Sequence, residues 1–365
     1  DTQEEEDIQD LNAHLSGGIP NKDIEGLNRY WEVYPSLKAN LFAHLREGYS
    51  KITVDATEIK NTIYNHPEFT GYSDKLNAVF VSWKDKVYQE LQGINDTNAP
   101  KKLADLISET LLNEYKDKPL VDKHNMFQHL MDYWNDIMKD DVYLLVEDGW
   151  IAKTKRVLET NKKGKEVDKG WTCDLIPKQL VIDKYLSSEQ TALNDLNAKL
   201  ESTQAEITTT QEEHAGDEGL LSDATNDKGT ITKTTLTQYI KEIKADPTEK
   251  ETLALANALL KLFTEEAALK KQVKAEEAEL DDLTLKQFGK LTEPEVRALV
   301  VDDKWIASLN ALMQSEIDAI SQRLTGRIKE LADRYENTLG ELTTSTKTLE
   351  ENVSNHLEKM GLVWS

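Results

Sequence analysis

The residues able to do chemistry in this chain are few, and their spacing rules out more than it permits. The seven histidines, His14, His44, His66, His124, His129, His214 and His356, contain no i, i+4 pair and no H-E-x-x-H, so no helical zinc site can be written. The single cysteine, Cys173, cannot form an internal disulfide and excludes a multi-cysteine metal site. It reads as a small buried hydrophobe on a strand rather than a reactive thiol. No two of the 16 glycines stand two apart, which removes the dinucleotide fingerprint, the kinase loop and the glycine-rich turn that cradles S-adenosylmethionine. None stand five apart, so there is no Walker A loop, and no G-x-S-x-G elbow appears. The eight prolines are never adjacent, which excludes the N-P-P-[FY] segment by which amino-methyltransferases hold a flipped base. Acidic pairs such as Asp281-Asp282 fall on a charged helical face with no buried neighbour to shift their pKa. No catalytic, cofactor-binding or metal-ligating residue is assigned.

The remaining residues must therefore position something other than a reaction centre. The 365 residues carry 67 acidic and 44 basic side chains, a net charge of -23. That balance argues against a free-standing protein that coats nucleic acid or an anionic membrane, since phosphate contact needs clustered Lys and Arg. No stretch of about 20 apolar residues exists to span a bilayer. The acidic opening DTQEEEDIQD does not resemble a secretory signal, so a cytoplasmic location is expected, in keeping with the lone cysteine.

Apolar spacing predicts a mainly α fold. Up to about Lys139 residues recur at three and four, as in Leu76, Val79, Phe80, Trp83 and Val87, with breaks at Pro20, Pro35, Pro67, Pro100 and Pro119. Six or seven short helices are expected there, with Tyr30, Trp31, Phe42, Phe69, Phe80, Trp83, Tyr133 and Trp134 in their core. Between Val142 and Ile182 the pattern turns β-like: Val142–Val146, a turn at Glu147-Asp148-Gly149, a return through Lys155–Glu159, and a third strand over Gly170–Ile176. Beyond Ile182 heptads follow in Leu186, Leu193, Leu196, Leu200 and Ile207, then in Leu262, Leu269, Val273, Leu280 and Leu283, then from Ile306 to Tyr335. The expected domains are a helical module over 1–140, a small antiparallel β insertion over 141–183, and a long antiparallel coiled-coil or helical-bundle arm over 184–365.

Two surfaces invite functional readings. The stripe Ile317, Ile320, Leu324, Ile328 and Leu331 is either a seam for a partner or is consumed by the chain's own helices at Leu186–Ile207 and Leu262–Leu283. Residues 151–185 reverse the chain's sign, with nine basic and five acidic side chains giving 9 - 5 = +4. Lys162, Lys163 and Lys165 at the tip of that loop either approach a DNA backbone or keep a strand edge soluble.

Several segments are similar to the region that follows the catalytic domain in methylation (M) subunits of type I restriction-modification systems. They are His14–Pro20, Tyr34-Pro35-Ser36-Leu37, Thr62–Phe69, Asp141-Val142-Tyr143 to Trp150, Asp168–Pro177, His214–Leu221, Val300–Trp305, Leu324–Tyr335 and His356–Gly361. They follow one another nearly end to end. The resemblance implies an N6-adenine DNA methyltransferase subunit that binds S-adenosylmethionine and assembles with a specificity (S) subunit, with a restriction subunit when cleaving, and with DNA in the full complex. It also implies long helical spacers in the S subunit as partners for the heptad seams. Both catalytic motifs of the family are missing, so the chain is expected to be the C-terminal portion of such a subunit, inactive alone. The rival reading is a self-contained coiled-coil scaffold unrelated to DNA.

Overall fold

A computed structural model describes residues 13, 15, 17–97, 99–160, 164–216, 219–226 and 228–360, with the backbone alone at Leu339 and Glu358. The chain is 72% helical with two small antiparallel sheets, a mainly α fold carrying a small β insertion and long helices. It divides into two compact units: the residues up to Gly149 together with those from Trp305 onward, and Trp150–Lys304.

The first unit begins with β1 (Ile19–Pro20), α1 (Asn21–Glu25), α2 (Asn28–Trp31), α3 (Pro35–Leu41), β2 (Phe42–Arg46) and β3 (Tyr49–Ile52). The three strands pair antiparallel in the order β1-β3-β2, a sheet that the helical spacing gives no hint of. Gly48 closes the β2–β3 turn at φ 75°, where a side chain would be strained. There follow α4 (Ile59–Tyr64), α5 (Pro67–Gln92), α6 (Pro100–Glu114) and α7 (Lys123–Tyr133). Pro35, Pro67 and Pro100 each stand in the first turn of a helix, where the missing N–H has no helical partner to lose. The apolar spacing of α5 resolves into one buried face, Leu76, Phe80, Trp83, Val87 and Leu91.

Two helix starts are tied to each other. His66 caps α5 by accepting the Glu68 amide on Nδ1 at 3.2 Å. Glu68 in turn reaches the start of α3, accepting the amides of Ser36 and Leu37, each at 3.0 Å. Burial opposes ionisation of Glu68, but these two amides, the Ser36 hydroxyl and the nearby His66 together outweigh it and hold the carboxyl below its ordinary value.

Val142–Val146 corrects the strand expected there. The chain runs from α7 through a π-helical stretch, Trp134–Met138, into α8 (Lys139–Asp148). The buried residues Met138, Val142 and Leu145 step by four and three, which is one helix face. The β-branched composition of the run is overridden by that face's burial. Gly149, at φ 75°, ends the helix where the expected turn lay.

The second unit opens with the hairpin β4 (Thr154–Thr160) and β5 (Glu166–Cys173), in register from Thr154↔Cys173 to Thr160↔Glu166 with an irregularity between Arg156 and Leu158. The ribbon has two strands, not three. Next come α9 (Lys178–Tyr185), α10 (Ser187–His214), α11 (Lys233–Ile243) and α12 (Lys250–Phe288). Leu186 and Leu193 pack with Val273 and Leu280, whereas Ile207 packs with Ala256 and Leu259, so α10 and α12 run antiparallel as their heptads predict. Gln204 donates to Glu266 midway, at 2.9 Å. Leu221, Ala224, Ile231 and Leu236 close the far end in a separate small core, with α11 started by a Thr232–Thr235 capping box. At the near end Trp171 of β5 donates to Asp281 at 2.8 Å and meets Phe288 edge-on, while Lys178 lies 3.9 Å above its ring and bonds the same carboxylate at 2.6 Å.

After α13 (Glu293–Arg297) a nine-residue π-helical stretch, Ala298–Ile306, leads into α14 (Ala307–Tyr335) and then α15 (Leu339–Lys359). The arm expected over 184–365 is therefore divided, since α14 packs on α4, α5, α7 and β1 of the first unit. The indole of Trp305, fully buried, donates to the buried carboxylate of Asp141 at 2.8 Å.

Trp305→Ala should lower the unfolding free energy by about 3–5 kcal/mol, and Trp305→Phe by about 1–3 kcal/mol, because the second change leaves a buried carboxylate short of a donor. Urea unfolding measures both. A Trp305→Phe variant as stable as the parent would show that the bond contributes nothing. The lowered Glu68 pKa gives stability that is present above the unfolded value, about 4.3, and is lost as pH falls through the folded one. Glu68→Gln should thus destabilise at neutral pH and flatten the acid limb of a stability–pH curve, the difference from the parent shrinking as Glu68 of the parent becomes protonated.

Candidate functional site

Among the described residues no group of three or more His, Cys, Asp or Glu side chains is placed to hold a metal ion. Burial raises the Cys173 thiol above its ordinary value, as expected of an inert buried cysteine. The glycines with positive φ, such as Gly48, Gly149 and Gly164, are single turn residues, and both sheets are antiparallel. None of the described residues fits the strand–glycine loop–helix cradle that S-adenosylmethionine would need. An open cleft of about 300 Å³ lies beside β3 and α14, with Lys51, Asp55, Asp333 and Glu336 on its rim. Those four rim side chains are all exposed, so the cleft lacks the desolvation that tunes a catalytic group.

The sequence-predicted residues fall in three places. Ile317, Ile320, Leu324, Ile328 and Leu331 are each at most 2% exposed, so the α14 stripe is core of the first unit. It is consumed by the helices of that unit and not by the coiled coil. Lys162 and Lys163 lie outside the described residues; Lys165 is exposed. On the ribbon itself Lys155 pairs with Asp174 at 2.6 Å, Arg156 with Asp168 through Nε at 3.0 Å, and Lys169 with Glu159 at 3.7 Å. Three of the basic side chains that reverse the local sign are thus answered by acids of the same hairpin, and the Arg156 bond holds the Asp168 carboxyl below its usual value.

Among the described residues an exposed apolar stripe runs along α15. Thr338 and Glu341 start this helix with a reciprocal pair: the Thr338 amide donates to the Glu341 carboxylate at 2.8 Å, and the Glu341 amide to the Thr338 hydroxyl at 3.2 Å. Leu342, Thr346, Leu349, Val353, His356 and Met360 follow at alternating steps of four and three. Leu342 is 45% exposed, Leu349 61%, Val353 57% and Met360 74%. The Thr346 hydroxyl donates to the Leu342 carbonyl at 2.8 Å, so its polar group is satisfied within the helix and its methyl can join an apolar seam. The seam is readable in the sequence as a 3–4 repeat, but it is diluted by the run Thr343-Thr344-Ser345-Thr346, and the sequence reading passes over it.

No family model, no curated protein and no solved structure matches the chain. Among the described residues no helix is long and apolar enough to cross a membrane.

Two substitutions of the same kind should separate core from surface. Ile320→Asp places a charge where the side chain is 1% exposed and should cost upward of about 4 kcal/mol, unfolding the first unit. Leu349→Asp should change stability by no more than about 0.5 kcal/mol. Thermal unfolding followed by circular dichroism reads both.

Proposed function

We propose that this chain is the assembly and DNA-placement region of an N6-adenine DNA methyltransferase subunit of the type I restriction-modification kind, and that it docks the specificity subunit. The parent subunit would bind S-adenosylmethionine through a domain other than this one and would join a restriction subunit when the complex cleaves. The observation that carries the assembly role is the exposed apolar stripe of α15, in which Leu342, Leu349 and Val353 each stand about half exposed or more. The seam on α14, the first choice from sequence, is spent inside the fold, so the partner contact moves to α15.

The resemblance gains support from where its segments lie. Tyr34-Pro35-Ser36-Leu37 meets His66-Pro67-Glu68-Phe69 through the Glu68 carboxylate. Asp141 of one segment meets Trp305 of another. Lys304, buried, donates to the Leu175 carbonyl at 2.6 Å and so joins Val300–Lys304 to Asp168–Pro177. These short words, unremarkable as chemistry, are the places where distant stretches of chain exchange polar contacts, which is what makes their order along the sequence informative. The hairpin β4–β5 is the element best suited to lie along a phosphate backbone, because a two-stranded ribbon exposed on both edges fits a groove of duplex DNA.

Co-expression with a type I specificity subunit tests the reading. A stable complex is expected on size exclusion, and Leu349→Asp with Val353→Asp should weaken it at least about tenfold while leaving thermal stability unchanged. Failure of the unmodified chain to form any complex would favour the scaffold reading instead.

A further inference from the structure

We propose that the cleft beside β3 and α14 is a docking site for an extended, basic segment of another polypeptide, which adds to the free edge of β3 in line with β1 and sets its cations against the carboxylates of the rim. The site is separate from the stripe of α15 and does not depend on what the parent complex is.

The free edge follows from the ladder. In an antiparallel strand successive residues turn their N–H and C=O groups to opposite neighbours. The Thr53 amide donates to the Leu41 carbonyl at 3.0 Å, so Thr53 and Lys51 serve the β2 side. Ser50 and Ile52 therefore turn to the β1 side. There Ile19 answers Ser50, and the Asn21 amide donates to the Gly48 carbonyl at 2.9 Å. The residue that would stand opposite Ile52 is Gly17, but at φ 64° it takes the chain out of the sheet, and β1 is only two residues long. Among the described residues the amide and carbonyl of Ile52 thus have no strand to pair with, and the cleft opens along that edge with Gly17, Ile19 and Ile52 in its walls.

The walls select the occupant. Ile19, Ile52, Val54, Ala332 and Tyr335 supply apolar lining, and the Tyr335 hydroxyl donates to Asp23 at 2.8 Å, which fixes that ring. On the rim Asp55, Asp333 and Glu336 outnumber Lys51, and among the described residues none of the three carboxylates is in an ion pair. Nucleic acid would bring phosphates against these carboxylates. The chain's own opening, DTQEEEDIQD, holds six acids and no base, so the rim repels it in the same way. An extended basic segment meets both demands of the site: its backbone completes the ladder at Ile52, and its side chains bring an apolar group into the cleft and a cation to the rim.

Fluorescence anisotropy of the full chain with a capped, labelled hexapeptide of alternating valine and arginine, at about 0.15 M salt, measures the site. Saturable binding of one peptide per chain is expected. Asp333→Asn with Glu336→Gln, both at exposed positions that leave the fold intact, should weaken it at least about tenfold. The same loss of two charges on α12, Glu276→Gln with Glu277→Gln, should leave it unchanged. Two versions of the peptide, N-methylated at alternate amides in opposite phase, should differ at least about tenfold, since only one phase of amides faces β3. No saturable binding, equal weakening by the two double variants, or equal loss for both N-methyl phases would each overturn the proposal. Arginine amide binding as tightly as the peptide would mark the cleft as a site for small cations and overturn it as well.

Discussion

The first unit cannot close its core until the chain has come back to it. Its opening segment, through Gly149, supplies α3 to α8 and the small sheet, but the space among α4, α5 and α7 is filled by α14, which begins only at Ala307. The return is fixed at Trp305, whose indole finds Asp141 in the dry interior. An indole N–H and a carboxylate that must both be satisfied away from water define a register, since a shift of one residue along the helix would strand both groups. Burying Ile317, Ile320, Leu324, Ile328 and Leu331 then follows from that register. A unit assembled from segments so far apart in sequence must pay a large loop-closure entropy before its core contacts form, which places its folding among the slower topologies.

How much of this is legible in the sequence depends on the range of the signal. The pair α10 and α12 is readable because a heptad states both the helix and the width of its apolar seam, and two such helices in succession satisfy each other. Helix starts at Pro35, Pro67 and Pro100 are readable for a local reason, the φ that proline fixes. Val142–Val146 is misread because its β-branched composition is a local cue, whereas its helical state is decided by which of its residues the core takes. The sheet β1-β3-β2 escapes because strands of two, five and four residues leave no room for a period to declare itself.

The candidate site shows the same limit in another form. An apolar stripe in sequence says that a face will be covered, but not by what. The stripes of α14 and α15 look alike at that level, and only the packing of the N-terminal helices distinguishes them: they take up the first and leave the second bare. The hairpin illustrates the electrostatic version. Counting charges gives the hairpin segment a positive sign, while the folded ribbon sets Asp174, Asp168 and Glu159 beside three of its cations.

The antiparallel pairing of α10 with α12 also bears on how such a chain can change over evolutionary time. Both helices belong to a single excursion that begins and ends in the second unit, and each contact between them depends only on the local heptad. Adding or deleting seven residues in each helix at facing positions would keep every seam residue facing inward, and would carry the small core around Leu221 and Leu236 outward or inward by about 10 Å. Neither the hairpin seat on Trp171 nor the core of the first unit would register the change. The arm is thus a length-adjustable spacer, free to be resized in discrete steps while the surfaces at its base stay as they are.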